Sequence, residues 1–589
     1  MRKLQSVGFF ALLWLASSLF LENLGRFHFL YIEQDNLFVH DIAYFLQLLT
    51  KPGGMADYVA CFLIQYFEEP YCGAMVVGFL TAVQAALTVG IVRRIAPKAN
   101  IAVCGLLPAA GLLLLSFNVN FYVAGVVAFC LMTAAIYLYL YVKRKTIYGV
   151  AAAGALFWLC GAVGVLFGAI VAIIELTGRL RGGAGFLPIA KSVLPLALAV
   201  ALASVGVMFA WTGEYRFLFL PDGYFISRLR PEAVVYFHWG LMVLVVTAAC
   251  IMRRRQSAQL WRRYVEIALQ VVVVGAFFAY GMKRHIKLNE MTFKELDYYA
   301  RTEQWDSLIE RAGSVSNNYL YKCYLNVALA QRGVLADRMF AYDQRGVKGL
   351  VLPLSLTSHV ATLLSDVYFA AGYMALAQRM AFEANVGTRG LGNPRMYRRL
   401  IQTNLASGAY PVAEKYITLL EKTRNHRDWA RSQRRFLYND LAIDADSLLS
   451  LKRGCLSAVD NLSEIDGLDN DLLQISLRNP AHKASIEYVG SLYLLDKQMN
   501  AFKTFVEDWY GTESLPVLPK SFQEAVIILA EQDTVYRQRF GVSEDVSKRF
   551  VSFRSQVLAG RSSGSALPGL LYRSFGDTYW YYYMFITSD

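Results

Sequence analysis

Long apolar runs fill the first half of the chain and end near Tyr280. The runs cover Val7–Phe20, Cys72–Ile91, Ile101–Ser116, Tyr122–Tyr141, Phe186–Trp211, Ala233–Met252 and Tyr264–Tyr280. Most approach the roughly 20 residues that a helix needs to cross about 30 Å of hydrocarbon. From Lys283 onward charged residues recur every few positions. The pattern predicts an all-α fold, with a polytopic transmembrane helix bundle over residues 1–283 and a soluble helical domain over residues 284–589.

The segment Tyr148–Thr177 departs from this pattern, because thirty residues lie there between two basic clusters. Basic residues beside apolar runs mark the cytoplasmic side of a membrane, so both clusters belong on one side. A single helix would separate them, whereas two short helices that turn near Gly161 and Gly164 keep them together. We therefore predict nine crossings, with eight as the alternative.

The formal net charge of +13 lies largely in short clusters beside the apolar runs. This distribution indicates membrane topology rather than nucleic-acid binding, with contacts to membrane lipids as a second role. It predicts a multi-pass protein of a bacterial inner membrane whose N-terminus is cytoplasmic. With nine crossings, the loops 22–71 and 212–232 and the C-terminal domain are periplasmic.

Glycines recur in similar surroundings in the second half of the chain. Gly333, Gly372 and Gly408 follow one another at intervals of 39 and 36 residues. Small residues at repeated positions let paired helices pack closely, and the period of a tetratricopeptide repeat is about 34 residues. The stretch resembles degenerate tetratricopeptide repeats, which implies a surface that holds a polypeptide or glycan.

Four polar residues follow the first apolar run within nine positions, namely Glu33, Asp35, His40 and Asp41. Carboxylates two residues apart can converge on a divalent cation or a phosphate-bound sugar, and a nearby histidine can donate to phosphate. Glu33 and Asp35 are therefore candidate catalytic residues and candidate ligands of Mg or Mn, and His40 is a candidate substrate-binding residue. The same residues also suit a solvated loop face.

The acidic pair in the first outward loop, the apolar hairpin and the C-terminal domain together resemble the GT-C class of polyprenyl-phosphate-sugar transferases. In that class a Glu-x-Asp-like motif supplies the catalytic carboxylate, and the resemblance assigns this role to Glu33 and Asp35. One of them would bind metal or act as general base on an acceptor hydroxyl, with Asp41 as the alternative base. The second external loop, SFNVNFY, lacks the acidic residue that many relatives carry there.

Three arginines in the loop 212–232 complete the candidate site: Arg216, Arg228 and Arg230. Arginine contacts phosphate in a bidentate manner, and fixed cations stabilise the negative charge of a polyprenyl-phosphate leaving group. These residues are candidate substrate ligands. Anchoring to lipid headgroups is the alternative interpretation.

Most of the chain also resembles polytopic envelope proteins of Bacteroidota, a resemblance that implies no reaction. No nucleotide-binding, zinc-protease or serine-hydrolase motif occurs in the sequence. Three functions fit these patterns. The chain is a glycosyltransferase that moves a sugar from a polyprenyl-phosphate donor to an envelope acceptor, a non-enzymatic scaffold whose repeats bind protein partners, or a component of a transporter or flippase.

Overall fold

The computed structural model describes residues 2–181, 185–209, 214–255, 259–315, 318–355, 357–388, 390–456, 467–560 and 565–587. Within these ranges every regular element is a helix, and backbone ladders are limited to two isolated β-bridges. The chain divides into two compact units, Met1–Met291 and Thr292–Asp589, which we call unit 1 and unit 2. The predicted all-α fold is confirmed.

Unit 1 is built from long and short apolar helices. Its α-helices are α1 Arg2–Gln34, α2 Ile42–Leu49, α3 Gly54–Ile64, α4 Cys72–Ile95, α5 Leu107–Leu115, α6 Val123–Tyr139, α7 Lys145–Cys160, α8 Val163–Leu180, α9 Phe186–Met208, α10 Arg216–Phe219, α11 Val234–Met252 and α12 Leu260–His285. Single 3-10 turns cover Ala102–Leu106 and Pro221–Tyr224. By length and composition, six of the helices are able to cross a membrane, namely α1 from Val7 onward, α4, α8, α9, α11 and α12.

The break in the segment Tyr148–Thr177 falls where it was predicted. Helix α7 ends at Cys160 and α8 begins at Val163, with Gly161 between them at φ +87°. A side chain at Gly164 would meet the backbone of Phe157 at 2.6 Å, so the absence of a side chain lets the two helices approach closely. The segment is a helical hairpin.

The basic clusters lie at one end of unit 1. Arg94, in the last turn of α4, stacks on the ring of Tyr141 at 4.8 Å. Glu175 of α8 accepts from Lys145 at 3.0 Å and pairs with Arg179 at 3.1 Å. The C-terminal ends of α4 and α8 and the start of α7 therefore carry cations at this end, which we call the basic end.

Helix α1 is longer than the first apolar run. It continues without a break to Gln34, whereas the sequence pattern predicted a span that ends at Phe20. The charged residues that follow this run do not stop the helix, because Glu22 and Arg26 are both good helix formers and also pair one turn apart at 3.8 Å. The predicted loop 22–71 therefore begins as helix and holds α2 and α3 as well.

Unit 2 consists of shorter helices. They are α13 Leu288–Arg301, which begins in unit 1, α14 Trp305–Ser314, α15 Tyr319–Gln331, α16 Leu335–Arg338, α17 Ser358–Ala370, α18 Met374–Gly387, α19 Pro394–Ala406, α20 Tyr410–Leu420, α21 Arg427–Gln433, α22 Asp440–Ala445, α23 Ser447–Gly454, α24 Leu468–Arg478, α25 Lys483–Leu495, α26 Met499–Trp509, α27 Lys520–Leu529, α28 Thr534–Arg539, α29 Glu544–Ala559, α30 Leu567–Phe575 and α31 Tyr579–Phe585. Short 3-10 turns cover Met339–Ala341, Val347–Gly349 and Arg434–Phe436.

The recurring glycines each close a helical hairpin in unit 2. Gly333, Gly372 and Gly408 have φ of +66°, +85° and +76° and lie in the turns α15–α16, α17–α18 and α19–α20. Glu303 and Lys497, at φ +57° and +55°, occupy the same place in the turns α13–α14 and α25–α26. In all five turns the next N–H donates to the carbonyl five residues earlier at 2.8–2.9 Å, which satisfies a carbonyl at the end of the first helix.

Two of these glycines differ in the space around them, which gives a matched pair of variants. A Cβ at Gly372 would lie 2.9 Å from the His482 ring and 3.0 Å from the Ser485 hydroxyl, whereas a Cβ at Gly408 meets nothing within 4 Å. We expect Gly408→Ala to cost about 1 kcal/mol through backbone strain alone. Gly372→Ala should cost about 2–3 kcal/mol, because strain and collision add. Equal shifts of the thermal unfolding midpoint in the two full-length variants would contradict this expectation.

Candidate functional site

At the end of unit 1 opposite the basic end lie the segment between α1 and α4 and the tip of the α7–α8 hairpin. Gly53, just before α3, donates its N–H to the Trp158 carbonyl at 2.9 Å. The hydroxyl of Tyr224, from the connection before α11, donates to the carbonyl of Cys160 and accepts from the N–H of Val163 at 3.3 Å. Three segments that are distant in sequence therefore meet at the hairpin tip.

The connection between α5 and α6 joins the same assembly. Tyr122 donates its N–H to the Tyr224 carbonyl at 2.8 Å, and Ile226 donates to the Asn120 carbonyl at 2.9 Å. Phe121 and Phe225 form an isolated antiparallel bridge between these two hydrogen bonds. The connection before α11 is thus fixed against its neighbours. We call this region the site end of unit 1.

The acidic pair lies at the site end, where α1 finishes. Glu33 is in the last turn of α1 and only 4% exposed, whereas Asp35 follows the helix and is half-buried. Removal of a carboxylate from water is costly, so a buried position for Glu33 is unlike that of a solvated loop residue. Of the two, Asp35 is the more accessible to a substrate.

His40 and Asp41 belong to the start of α2. The exposed His40 ring lies 3.2 Å, Nε2 to Oε1, from the Gln65 side chain. The Asp41 carboxylate caps α2 by accepting from the N–H of Ala43 at 2.9 Å. A capping role accounts for an aspartate at this position without catalysis.

The candidate arginines occupy the connection 214–233, and residues 212 and 213 of the predicted loop lie outside the described residues. Arg216 begins the single turn α10, where it pairs with Glu214 at 2.5 Å and lies over the Phe217 ring at 4.7 Å. Arg228 and Arg230 are exposed. Glu214 offsets part of the Arg216 charge, whereas Arg228 and Arg230 are more exposed than Arg216.

Two buried carboxylates at the site end were not predicted. Asp222 is 3% exposed and accepts from the Tyr236 hydroxyl at 2.8 Å, and Asp57 of α3 is 9% exposed and 4.0 Å from the Lys51 ammonium. In the sequence, Pro221-Asp222-Gly223 reads as an ordinary turn. Burial is what distinguishes these carboxylates, and it depends on packing rather than on local sequence.

Helix α2 presents apolar side chains on its outer face. Ile42 and Leu46, one turn apart, are 77% and 57% exposed, while Tyr44 between them is buried. Burial, together with the neighbouring Cys61 thiol and Asp57, raises the pKa of the Tyr44 hydroxyl. Helix α2 therefore has one buried face and one uncovered apolar face.

A divalent metal at Glu33 and Asp35 stays a prediction. Across the ranges given above, no three histidine, cysteine or acidic side chains come together as a group that could hold a metal ion. Mg is commonly held by one or two carboxylates with water and substrate phosphate completing its shell. Glu33 and Asp35 supply two carboxylates at the end of α1.

Unit 2 carries a concave surface. Helices α18, α19 and α20 enclose a groove of about 470 Å³. Its lining combines aromatic and aliphatic side chains with two lysines, Lys415 and Lys422. The groove lies within the helical hairpins that contain Gly372 and Gly408.

Comparison with known proteins gives a family and no activity. A family model described as a family of unknown function, DUF6057, matches residues 2–586. No curated protein and no solved structure matches the chain.

Proposed function

This chain belongs to the DUF6057 family, and we propose that it is a membrane glycosyltransferase that moves a sugar from a polyprenyl-phosphate donor to an envelope acceptor. One observation carries the proposal: the Glu33 and Asp35 carboxylates lie at the end of α1, on the same end of unit 1 as the connection that bears Arg216, Arg228 and Arg230. A base and fixed cations in one region are what this transfer needs.

The chemistry uses these groups as follows. The Asp35 carboxylate takes the proton of an acceptor hydroxyl while the acceptor oxygen forms a bond to the anomeric carbon of the sugar. The bond from that carbon to the phosphate oxygen breaks, and its electron pair leaves with the polyprenyl phosphate. Arg228 and Arg230 stabilise the charge that develops on this leaving group. Glu33, which is buried in the last turn of α1 two residues before the base, is assigned a positioning role.

The uncovered face of α2 supports a lipid-linked donor. Ile42 and Leu46 offer apolar contacts to an acyl or prenyl chain beside the end of α1. The head group of such a donor would then lie near the end of α1. A soluble sugar nucleotide would need no apolar helix at this place.

We propose a topology of nine crossings in a bacterial inner membrane. The six long helices and the shorter apolar helices Ala102–Leu115, Val123–Tyr139 and Lys145–Cys160 add to nine. At eleven residues, Gly54–Ile64 reaches only about 16 Å and is not counted. The basic end then faces the cytoplasm, and the site end and the start of unit 2 face the periplasm.

A reporter fusion tests this orientation. A phosphatase that is active only in the periplasm, fused after Lys287, is expected to be active, because α12 then ends on the periplasmic side. Fusion after Ala96, which follows α4 at the basic end, serves as the matched control and should be silent. The reverse pattern of activities would remove the proposed orientation and with it a periplasmic active site.

The reaction is tested by transfer from a labelled donor. Purified full-length protein, mixed with a panel of polyprenyl-phosphate sugars and envelope extract, should release polyprenyl phosphate and label a glycan or glycoprotein. Release that is no faster than in extract without the protein, for every donor of the panel, would overturn the proposal.

A non-enzymatic scaffold is the second candidate, and the groove of unit 2 favours it. Repeated helical hairpins most often serve as binding surfaces, and about 470 Å³ is room for several side chains of a partner. Under this alternative, unit 1 anchors unit 2 to the membrane, and variants of Asp35 leave its function intact.

A further inference from the structure

We infer that four cations at the basic end of unit 1 bind the head group of an anionic phospholipid. They are Arg93 and Arg94 in the last turn of α4 and Lys143 and Arg144 in the connection between α6 and α7, and we call them the cation cluster. The cluster lies at the end of unit 1 opposite the proposed active site, so the inference does not depend on the proposed reaction. It requires that unit 1 lies in a membrane, which its six long apolar helices support.

An aromatic contact joins the two halves of the cation cluster. Arg94 lies over the Tyr141 ring at 4.8 Å, and the Tyr141 hydroxyl is 3.2 Å from the hydroxyl of Tyr137. Tyr137 packs on Gly90 of α4, where a Cβ would meet its ring at 2.8 Å. The absence of a side chain at Gly90 therefore lets the end of α6 approach the end of α4. Because Lys143 follows Tyr141 by two residues, both halves of the cluster lie close together.

The charge of the cation cluster is not balanced by neighbouring carboxylates. All four side chains are exposed, and within the described ranges none of them forms an ion pair. Other cations of the basic end differ in this respect. Lys145 and Arg179 share Glu175 at 3.0 and 3.1 Å, and Arg255 is 3.7 Å from Glu266. A group of four exposed cations without acidic partners attracts an anion.

An uncovered apolar surface leads along α6 to the cation cluster. Leu131 and Leu138 lie two turns apart on α6 and are 42% and 55% exposed. Tyr141, three residues after Leu138, is 54% exposed, and Ile147 in the first turn of α7 is 64% exposed. The acyl chain of a phospholipid can pack on these side chains while its phosphate contacts the cations at the helix ends. A free phosphate ion gains nothing from apolar neighbours.

Membrane orientation accounts for the number of cations at this end but not for their arrangement. Orientation depends on the charge of a connection and needs no fixed position for its side chains. Here the Tyr141 ring holds Arg94, and close packing at Gly90 brings two connections together. Basic surfaces between transmembrane helices are typical binding sites for anionic lipid head groups.

The probe for this inference is dioleoyl phosphatidylglycerol, titrated into the purified full-length protein in a non-ionic detergent. Native mass spectrometry resolves each bound lipid and gives an apparent Kd. Phosphatidylglycerol should bind at least about tenfold more tightly than dioleoyl phosphatidylcholine, whose head group carries no net charge. The double variant Lys143→Gln/Arg144→Gln should bind phosphatidylglycerol at least about tenfold more weakly than the wild type, because each of the two cations contributes to the attraction.

The matched control is the double variant Arg253→Gln/Arg254→Gln. These two arginines follow α11 and are exposed, and they lie at the basic end because Arg181 at the end of α8 donates to the Cys250 carbonyl at 2.9 Å. The control removes the same number of charges from the same end, beside the pair that Arg255 forms with a glutamate. It should leave the affinity for phosphatidylglycerol unchanged.

Arg94→Lys tests the aromatic contact. This variant retains the charge but loses the planar contact with Tyr141, so the affinity should fall by about threefold. Two further measurements show that each variant keeps its fold and its orientation, namely the unfolding midpoint and the activity of the phosphatase fused after Lys287.

Three results would overturn the inference. Equal affinity for the two lipids would show that the head-group charge is not recognised. Equal losses in the two double variants would show that charge at the basic end, rather than the cation cluster, accounts for binding. Displacement of phosphatidylglycerol by glycerol 1-phosphate at matched ionic strength would assign the cluster to a soluble phosphate ester instead of a lipid.

Discussion

Asp35→Asn is expected to lower the rate of sugar transfer by at least about a hundredfold. The carboxamide retains the shape of the half-buried side chain but cannot accept the proton of the acceptor hydroxyl. The rate is measured as release of labelled polyprenyl phosphate by purified protein, at matched protein concentration and unfolding midpoint. A wild-type rate in this variant would show that Asp35 is not the base.

Two neighbouring variants sharpen this result. Asp41→Ser keeps an oxygen that caps α2 at the Ala43 N–H, so it should retain most of the activity. Glu33→Gln should lower the rate less than Asp35→Asn does, because Glu33 is proposed to act by positioning the base. Glu33→Asp, which keeps a carboxylate, should retain more of the rate than Glu33→Gln. If Asp41→Ser is as inactive as Asp35→Asn, the base assignment moves to Asp41.

Arg395→Ala is expected to lower the free energy of unfolding of unit 2 by about 3–5 kcal/mol. Arg395 is largely buried between Asp297, at 2.8 Å, and Asp366, which also accepts from Arg399 at 3.0 Å. Burial alone lowers the pKa of Arg395, but the two carboxylates more than compensate and raise it. Truncation leaves those carboxylates buried without their shared cation, which is the costly case.

The matched control for this variant is an exposed pair in the same unit. Arg332 pairs with Asp306 at the surface, with side chains that are 47% and 77% exposed, so Arg332→Ala should cost less than about 1 kcal/mol. The comparison is a denaturant titration of each full-length variant, with the transition of unit 2 followed by limited proteolysis. Equal losses in the two variants would contradict a structural role for the buried cluster.

The helical hairpin at Gly161 was predictable because two local signals agreed. The length of the apolar run and the charges on its flanks favoured two short helices over a single crossing, and the glycines marked the turn. The predicted end of the first helix was wrong. Glu22 and Arg26 were interpreted as the start of a loop, whereas in the structure they pair one turn apart within α1 at 3.8 Å.

The recurring helical hairpins of unit 2 were only partly visible in the sequence. Gly333, Gly372 and Gly408 were found because glycine marks a turn that needs positive φ. Glu303 and Lys497 adopt the same backbone conformation but are not glycine, so composition gave no sign of them. The hairpin geometry extends further along the chain than the glycine pattern.

The sequence by itself determined the division into an apolar first half and a polar second half, the helical character and the main turns. These features depend on hydropathy and on backbone preferences over a few neighbouring residues, which are local properties. Only the tertiary structure decided that Glu33 and Asp222 are buried, and that Asp297 and Arg395 meet across 98 residues. Such contacts follow from how whole helices pack, and no local pattern encodes them.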